Sequence, residues 1–356
     1  MKKSTLVITL LIVGIVSLFI LMPSPIDAVS WKPPISPMLS KAYAKNNLLK
    51  KSQIIAQGKI KGPEDVAIDN LGNIYGGTTT GWIKRIHKNG TVESWVNTHG
   101  RPLGMHFDHH QNLIVADAFK GLLSISPLAK ITVLTKSAAG IPINFANDVD
   151  IADNGKIYFT DASTRWDQKH FTEDLLEARP YGRFLVYDPK TKETKVLLKS
   201  LYFANGVALS QHQDFVLINE TWRYRIVRYW LKGPHKGTHE LFIENLPGFP
   251  DGISGNHQGI FWLALPTPRL NSVDKMYPRA WLKNIVAKLP PFLKPKPIRF
   301  GFVLGLNESG KVIYNLQDGN GDTLNEITSV EENNGFLYIG SLHNDRIGKF
   351  NLKDLP

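Results

Sequence analysis

The sequence predicts an all-β fold, a six-bladed β-propeller, and three observations carry that reading. A motif exemplified by Phe203-Ala204-Asn205-Gly206-Val207-Ala208-Leu209-Ser210 recurs in altered form along the chain. Each copy runs through a polar or Gly-containing turn into a second short apolar strand. The third residues of successive copies (Glu64, Leu103, Asn147, Asn205, Asp251 and Ile327) are 39, 44, 58, 46 and 76 residues apart, spacings that start from the roughly 40–50 residues of one four-stranded blade. A single unit of this kind cannot bury its own apolar face, so six of them must close into a ring.

The copies fall at 62–69, 101–108, 145–152, 203–210 and 249–254, with a weaker sixth at 327–332. Their partner strands are 73–75, 113–115, 156–159, 215–217, 260–262 and 336–339. The wider spacings place insertions in blade three, at 163–183 with Trp166, His170 and Phe171, and in blade five, at 267–300. In the blade-five insertion, apolar residues at 281, 282, 285, 286 and 289 fall on one helical face. Lys283 and Lys288 lie elsewhere on the wheel, and Pro290-Pro291 stops the helix. The segment reads as a helix packed on the ring edge, or alternatively as a lid or membrane-touching helix, because a Lys-rich, Trp-bearing amphipathic helix suits an interface.

Residues 1–28 form an N-terminal signal anchor or signal peptide, 29–51 a Pro-rich linker with a short helix, and 52–353 the propeller. Lys2 and Lys3 precede an apolar run from Leu6 to Met22, which Pro23-Ser24-Pro25 ends. A cleaved signal peptide has a shorter apolar region and a small-x-small cleavage site, and Ile26-Asp27-Ala28 is a poor one. An uncleaved transmembrane anchor is therefore preferred, with secretion after cleavage as the alternative. Lysines ahead of the apolar run put the N-terminus in the cytoplasm and the propeller outside it.

Forty-two Lys and Arg against 31 Asp and Glu leave a net charge of +11 over 356 residues. No basic run, zinc finger or aromatic RNA-binding motif accompanies the charge, so a nucleic-acid partner is not expected. An anionic membrane surface suits it better. There is no Cys, hence no disulfide, thiolate nucleophile or thiolate metal site. Sequons at Asn89, Asn219 and Asn307 are too few to exceed chance.

The candidate site comes from the repeat register. Of the six third-position residues, Glu64, Asn147, Asn205 and Asp251 carry side-chain oxygen. Equivalent innermost positions of a propeller stand at one height around its axis, so these four would converge. Four oxygens, two of them anionic, suit Ca2+ or another hard divalent cation. Without an ion, the two carboxylates would repel each other and bind protons more tightly. Asn-Gly and Asp-Gly pairs are also plain turn formers, but Glu64 and Asn147 share the register and are in no such pair. His109 and His110 read as a solvated turn, while His106 and His343 are ambiguous. No Gly-x-Ser-x-Gly elbow, Walker A or dinucleotide fingerprint is present.

Several stretches resemble the strictosidine synthase-like family: Gly62-Pro63-Glu64, Arg101-Pro102-Leu103-Gly104, Ile157-Tyr158-Phe159-Thr160-Asp161-Ala162-Ser163, Phe203-Ala204-Asn205-Gly206-Val207 and Leu246-Pro247-Gly248-Phe249-Pro250-Asp251. The resemblance covers about residues 30–350, as well as the N-terminal segment. It implies a six-bladed propeller shared with gluconolactonase, regucalcin and serum paraoxonase, which are Ca2+-dependent lactonases and arylesterases. Their channel ligands fall by motif on Glu64, Asn147, Asn205 and Asp251, and Asp251 also matches a proposed catalytic base. The glutamate that strictosidine synthase uses for amine–aldehyde condensation falls on Thr328, which cannot cycle protons near neutral pH. Glu326, two residues away, is a remote substitute. The paraoxonase histidine pair has no match, and the cysteines of some animal relatives are absent.

The sequence therefore points to a membrane-anchored, Ca2+-dependent hydrolase of small-molecule esters or lactones, with Asp251 catalytic. The alternatives are a non-catalytic binding or scaffold propeller and, less favoured, a synthase-type lyase.

Overall fold

A computed structural model describes residues 2–355, apart from the side chains of residues 2–4, 12, 13, 15 and 16. The lysines at 2 and 3 that orient the expected anchor thus lie outside the described side chains. Six four-stranded antiparallel sheets make the ring. Their innermost strands are Val66–Ile68, Pro102–Phe107, Ala146–Ile151, Ala204–Leu209, Ile253–Gly255 and Ile327–Asn333. Each later strand of a blade lies one place further out. The sixth blade is completed from the other end of the chain, since Gln53–Ile55 pairs outside Ile347–Asn351 and joins the first strand to the last.

Burial follows the same radial order. Leu113–Asp117, Ile157–Asp161 and Phe215–Glu220 sit second from the axis and are buried at every residue, as strands covered on both faces must be. The outermost Glu193–Leu201 has mainly exposed and half-buried residues. Apolar side chains fill the wedges between neighbouring blades, which gives each interface its own core.

The innermost strands of blades two, three and four carry a bulge between their second and fifth motif positions, and that of blade six carries one between Ile327 and Ser329. A bulge re-aims a side chain and breaks the ladder locally, and here it lifts the third residue out of the sheet. It also corrects the register in blade six. Ile327 pairs with Ser341 as Ala204 pairs with Glu220 and Ala146 with Asp161. Ile327 therefore takes the second position and Thr328 the third.

The third-position backbone links the blades to one another. Asp251 O accepts from Gly206 N at 3.0 Å, Thr328 O from Gly252 N at 2.8 Å, and Glu64 O from Thr328 Oγ1 at 2.6 Å. Gly206 is required by this closeness, since an added Cβ would lie 2.4 Å from Asp251 O and 2.6 Å from Ile253 N, both main-chain atoms. Gly206→Ala should thus lower the denaturant midpoint by an amount worth about 1–3 kcal/mol, an overpacking cost. An unchanged midpoint would show that the blades can move apart there.

Both insertions lie at one end of the ring. The first holds a helix, α2 (Phe171–Glu177), and the second holds α3 (Asn271–Met276) and α4 (Ala280–Ala287); α2 packs on α4. The expected face of α4 is partly inverted. Lys283 is fully buried and Trp281 is 63% exposed. The reason is the N-terminal segment: Lys283 Nζ donates to Val29 O at 2.5 Å and lies 5.6 Å from the Tyr277 ring centre. Ile26 is buried in the same cluster, and Trp31 meets Tyr277 edge-on at 4.9 Å.

The N-terminal apolar run forms helix α1 (Lys2–Leu21), with exposed Leu6, Val7, Ile8, Leu10 and Leu11. No helix among the described residues is long and apolar enough to cross a membrane, so a spanning anchor lacks structural support. The short helix expected before the ring is a pair of 3-10 turns, Lys41–Tyr43 and Leu48–Lys51.

Candidate functional site

The channel opens beneath the two insertions into a cavity of about 180 Å³. Its walls are apolar, with Phe145, Phe203, Trp222 and Phe249 from the blades and Phe171 and Leu270 from the insertions. Its floor is polar. Glu64, Asn147, Asn205 and Asp251 all line it, together with Leu103 from blade two. The four predicted donors, up to 187 residues apart in sequence (64 to 251), are therefore brought to one surface.

Local structure explains their placement. Asn147 and Asn205 sit in the inner-strand bulges, while Glu64 and Asp251 stand just before their strands begin. Asp251 is fixed by its main chain, whose carbonyl also accepts from the amide of Asn219. That contact and full burial keep the Asn219 sequon inside the ring. Asn205 hydrogen-bonds the Asp251 carboxylate through its side chain.

Electrostatics set the character of this floor. Protein surrounds Asp251, and loss of hydration pushes its carboxyl up to about 7 against the pull of Asn205. Glu64 is raised well above the carboxylate range, first by burial and then by the charge of Asp251. Arg101 partly offsets this, but its Nη1 is spent on the carbonyls of Gly62 and Gly77 at 3.1 and 3.3 Å.

Below the floor the channel narrows to about 40 Å³ and is lined by Asp65, Asp148, Asp150 and Glu331, with His106 beside them. These carboxylates were not among the predicted site residues. Three of them bridge blades. Asp65 accepts from Val66 N and Met105 N, both at 2.7 Å; Asp148 from Val149 N at 2.8 Å and Val207 N at 2.9 Å; Asp150 from Ile151 N at 2.7 Å and Leu209 N at 2.8 Å. Burial raises Asp65 to about 6 and holds Asp148 and Glu331 well above the ordinary carboxylate range. The sequence held a signal for two of them: Asp65 and Asp148 follow the third position, where blades two, four and five have Gly.

The donor set fits a hard divalent cation. Two carboxylates match its charge, two amides add neutral oxygens, and the buried negative charge is otherwise undercompensated. Among the described residues no three His, Cys, Asp or Glu side chains gather as a metal cluster. An ion here would rest on two carboxylates and two amides.

The remaining candidates separate clearly. His109 and His110 are exposed in a turn. His343 Nδ1 lies 2.5 Å from Glu326 Oε2, on the surface. Glu326 precedes the strand in left-handed backbone, φ 48°, so it does not share a strand face with Thr328. Thr328 is buried and its hydroxyl is committed to Glu64 O.

Residues 147–234 match the strictosidine synthase family model and residues 42–86 the strictosidine synthase-like N-terminal model. The chain is 38% identical to the Arabidopsis thaliana protein strictosidine synthase-like 6 over 315 residues, 86% of this chain and 83% of that one. It is 35% identical to adipocyte plasma membrane-associated protein of Gallus gallus over 362 residues, covering 94% and 86%. Among solved structures it resembles a gluconolactonase from Xanthomonas campestris, with TM-score 0.62, 15% identity and coverage of 94% and 99%. It also resembles regucalcin, a calcium-binding protein from Agrobacterium tumefaciens, with TM-score 0.55, 12% identity and coverage of 86% and 93%. At these identities the structural matches speak for the propeller fold, and the sequence matches place the chain in the strictosidine synthase-like family.

Proposed function

We propose that the chain hydrolyses esters or lactones, with the reacting carbonyl held over Glu64, Asn147, Asn205 and Asp251. The observation that carries this reading is the junction of an apolar cavity with that polar floor. Structural likeness to a gluconolactonase and to a calcium-binding propeller supports it. Glu64, Asn147, Asn205 and Asp251 would hold Ca2+, which supplies Lewis-acid polarisation of a carbonyl.

The aromatic walls take the apolar part of the substrate and exclude bulk water. Asp251 accepts a proton as a water oxygen bonds to the carbonyl carbon. The ester C–O bond then breaks, and the proton passes from Asp251 to the departing alkoxide. Asn205 orients Asp251 throughout. Synthase-type condensation is not proposed, because the hydroxyl at Thr328 is already engaged and carries no usable acid.

Purified full-length protein should hydrolyse members of an aryl-ester and lactone panel, and chelation should abolish that turnover. A panel inert with Ca2+, or activity indifferent to chelator, overturns the reading in favour of a binding propeller.

A stability measurement checks the site independently of turnover. The folded-state value for Asp251 is raised, so the folded protein binds the extra proton and is stabilised below the unfolded value, near 4. That stability fades as pH rises to about 7. Metal-free protein should accordingly melt at lower temperature at pH 8 than at pH 5.5. Calcium at about 100 times its Kd should restore about 2.7 kcal/mol at pH 8 and little at pH 5.5, where protons compete.

The chain is also proposed to reside at a membrane with the propeller extracytoplasmic. Relatives named plasma membrane-associated support this, as does the basic, then apolar, N-terminal sequence. Burial of Ile26 and the Asp27–Arg179 ion pair favour retention of the segment over its cleavage.

A further inference from the structure

We infer that the blade-five insertion is itself a docking surface for an anionic lipid bilayer, set beside the mouth of the cavity. The inference is independent of the catalytic reading and rests on exposure, charge and position.

Exposure comes first. Trp281, Phe292, Leu293 and Ile298 are 63, 71, 57 and 49% exposed. All four belong to one insertion, and nothing in the fold of the propeller requires them outside. The inversion of α4 is informative here, because the helix buries its lysine and presents its tryptophan. An indole with one apolar face and one polar edge suits the headgroup boundary.

Charge comes second. Residues 267–300 contain eight Lys and Arg against one Asp, which is seven of the chain's eleven net positive charges in a tenth of its length. Arg269 is neutralised by Asp274 and Lys294 by Glu173. Lys275, Arg279, Lys296 and Arg299 are exposed and carry their charge to solvent. Basic residues interleaved with exposed aromatic and aliphatic ones are complementary to an anionic headgroup layer over hydrocarbon. A protein partner would be expected to meet a groove, and these side chains stand on protruding turns and a helix surface.

Position comes third. Lys288 Nζ donates to Ile20 O at 2.9 Å and to Phe19 O at 3.3 Å, so the end of α1 lies against α4. Ser24 Oγ donates to Asn284 Oδ1 at 3.1 Å. The exposed apolar side chains of α1 therefore leave the molecule from the same side. Pro295, Lys296 and Pro297 border the cavity. A bilayer touching Phe292 and Ile298 would lie across the cavity entrance, and apolar molecules dissolved in the lipid would reach it without crossing water.

The chain has no Cys, so a single introduced thiol labels one site. Full-length Phe292→Cys and Leu128→Cys would each carry an environment-sensitive NBD fluorophore; Leu128 is 91% exposed and belongs to blade two, outside the insertion. The probes are phosphatidylcholine vesicles with and without phosphatidylserine. The label at 292 should shift to the blue and brighten on phosphatidylserine vesicles, and bromine in the acyl chains should quench it. The label at 128 should do neither. Lys296→Glu with Arg299→Glu should weaken the anionic-vesicle response at 292 at least tenfold, with the circular dichroism spectrum unchanged.

A label at 292 that stays water-like while flotation shows the chain on vesicles through α1 overturns the inference. Equal responses to neutral and anionic vesicles, or no vesicle binding, also overturn it. So does a blue shift that needs only high protein concentration, which would identify a contact between copies of the chain. Because the readout is lipid contact, it stands or falls apart from ester turnover.

Discussion

Asp251→Asn should lower ester or lactone turnover by about two to four orders of magnitude and, in the absence of metal, make the ring harder to unfold at pH 8. Catalytic variants are ordinarily expected to be neutral or weaker, so the second half is the sharper test. Asn keeps the size of Asp251 and a partner for Asn205, and it leaves untouched the main-chain carbonyl that Gly206 and Asn219 use. What it removes is the charge. That charge is held at about 7 rather than 3.8 by burial, so ionising it in the folded state at pH 8 costs up to about 4 kcal/mol relative to the unfolded chain. Glu64 compounds the cost, since each of the two carboxylates opposes ionisation of the other. The variant should melt several degrees above the parent in chelator at pH 8. Near pH 4, where both carry a neutral side chain, the difference should vanish. With saturating Ca2+ the order should close or reverse, because the parent recovers a ligand that the variant lacks. Melting curves at two pH values, with and without calcium, give the whole pattern. A variant that turns over substrate normally, or melts lower in chelator at pH 8, removes Asp251 from the role assigned to it.

The parts legible in the sequence are those that repeat. The six copies gave the blade count, and the shared third position selected Glu64, Asn147, Asn205 and Asp251, which one surface then collected. Blade six was read one residue out of register because its copy has neither Asx nor Gly to mark the third position. Only the bulge, a feature of strand pairing, decides that Thr328 takes the third position. Asp65, Asp148 and Asp150 were visible as residues but not as bridges. Their partners are amides of the next blade, 40 or 59 residues away, and no local pattern reports that distance. The helical wheel of α4 was sound as periodicity and wrong about Lys283. A wheel assumes an apolar neighbour, and the neighbour proved to be the carbonyl of Val29 from the far end of the chain. Tertiary polarity of that kind is written in no single segment.

The second large effect is expected at Glu177, which local sequence gave no reason to notice. Its side chain is fully buried at the end of α2. Oε1 accepts from Asp27 N at 2.8 Å, Oε2 accepts from Trp166 Nε1 at 2.6 Å, and Arg165 Nε stands 3.3 Å from Oε2. Its main-chain carbonyl also holds Val29 N at 3.0 Å. One carboxylate thus fastens the N-terminal segment, the blade-three insertion and the roof of the cavity together. Glu177→Ala would leave an indole N–H and a backbone N–H without their acceptor, and each such group left unsatisfied costs about 1–3 kcal/mol. A helix of seven residues has no stability of its own to absorb that loss. The blades do not depend on the contact, so the damage should remain local. Proteolysis within 163–183 should accelerate at least tenfold while the main unfolding transition moves much less. Because Phe171, Thr172 and Leu175 of α2 line the cavity and Asp251 stands on the ring, KM for an apolar ester should rise about tenfold, roughly the worth of 1.4 kcal/mol of binding, with kcat changing far less. Glu177→Gln keeps one acceptor and should recover part of the protease resistance. An unaltered KM together with an unaltered cleavage pattern would mean that the roof is held by its apolar packing alone, and that the carboxylate under it is incidental to how the cavity meets its substrate.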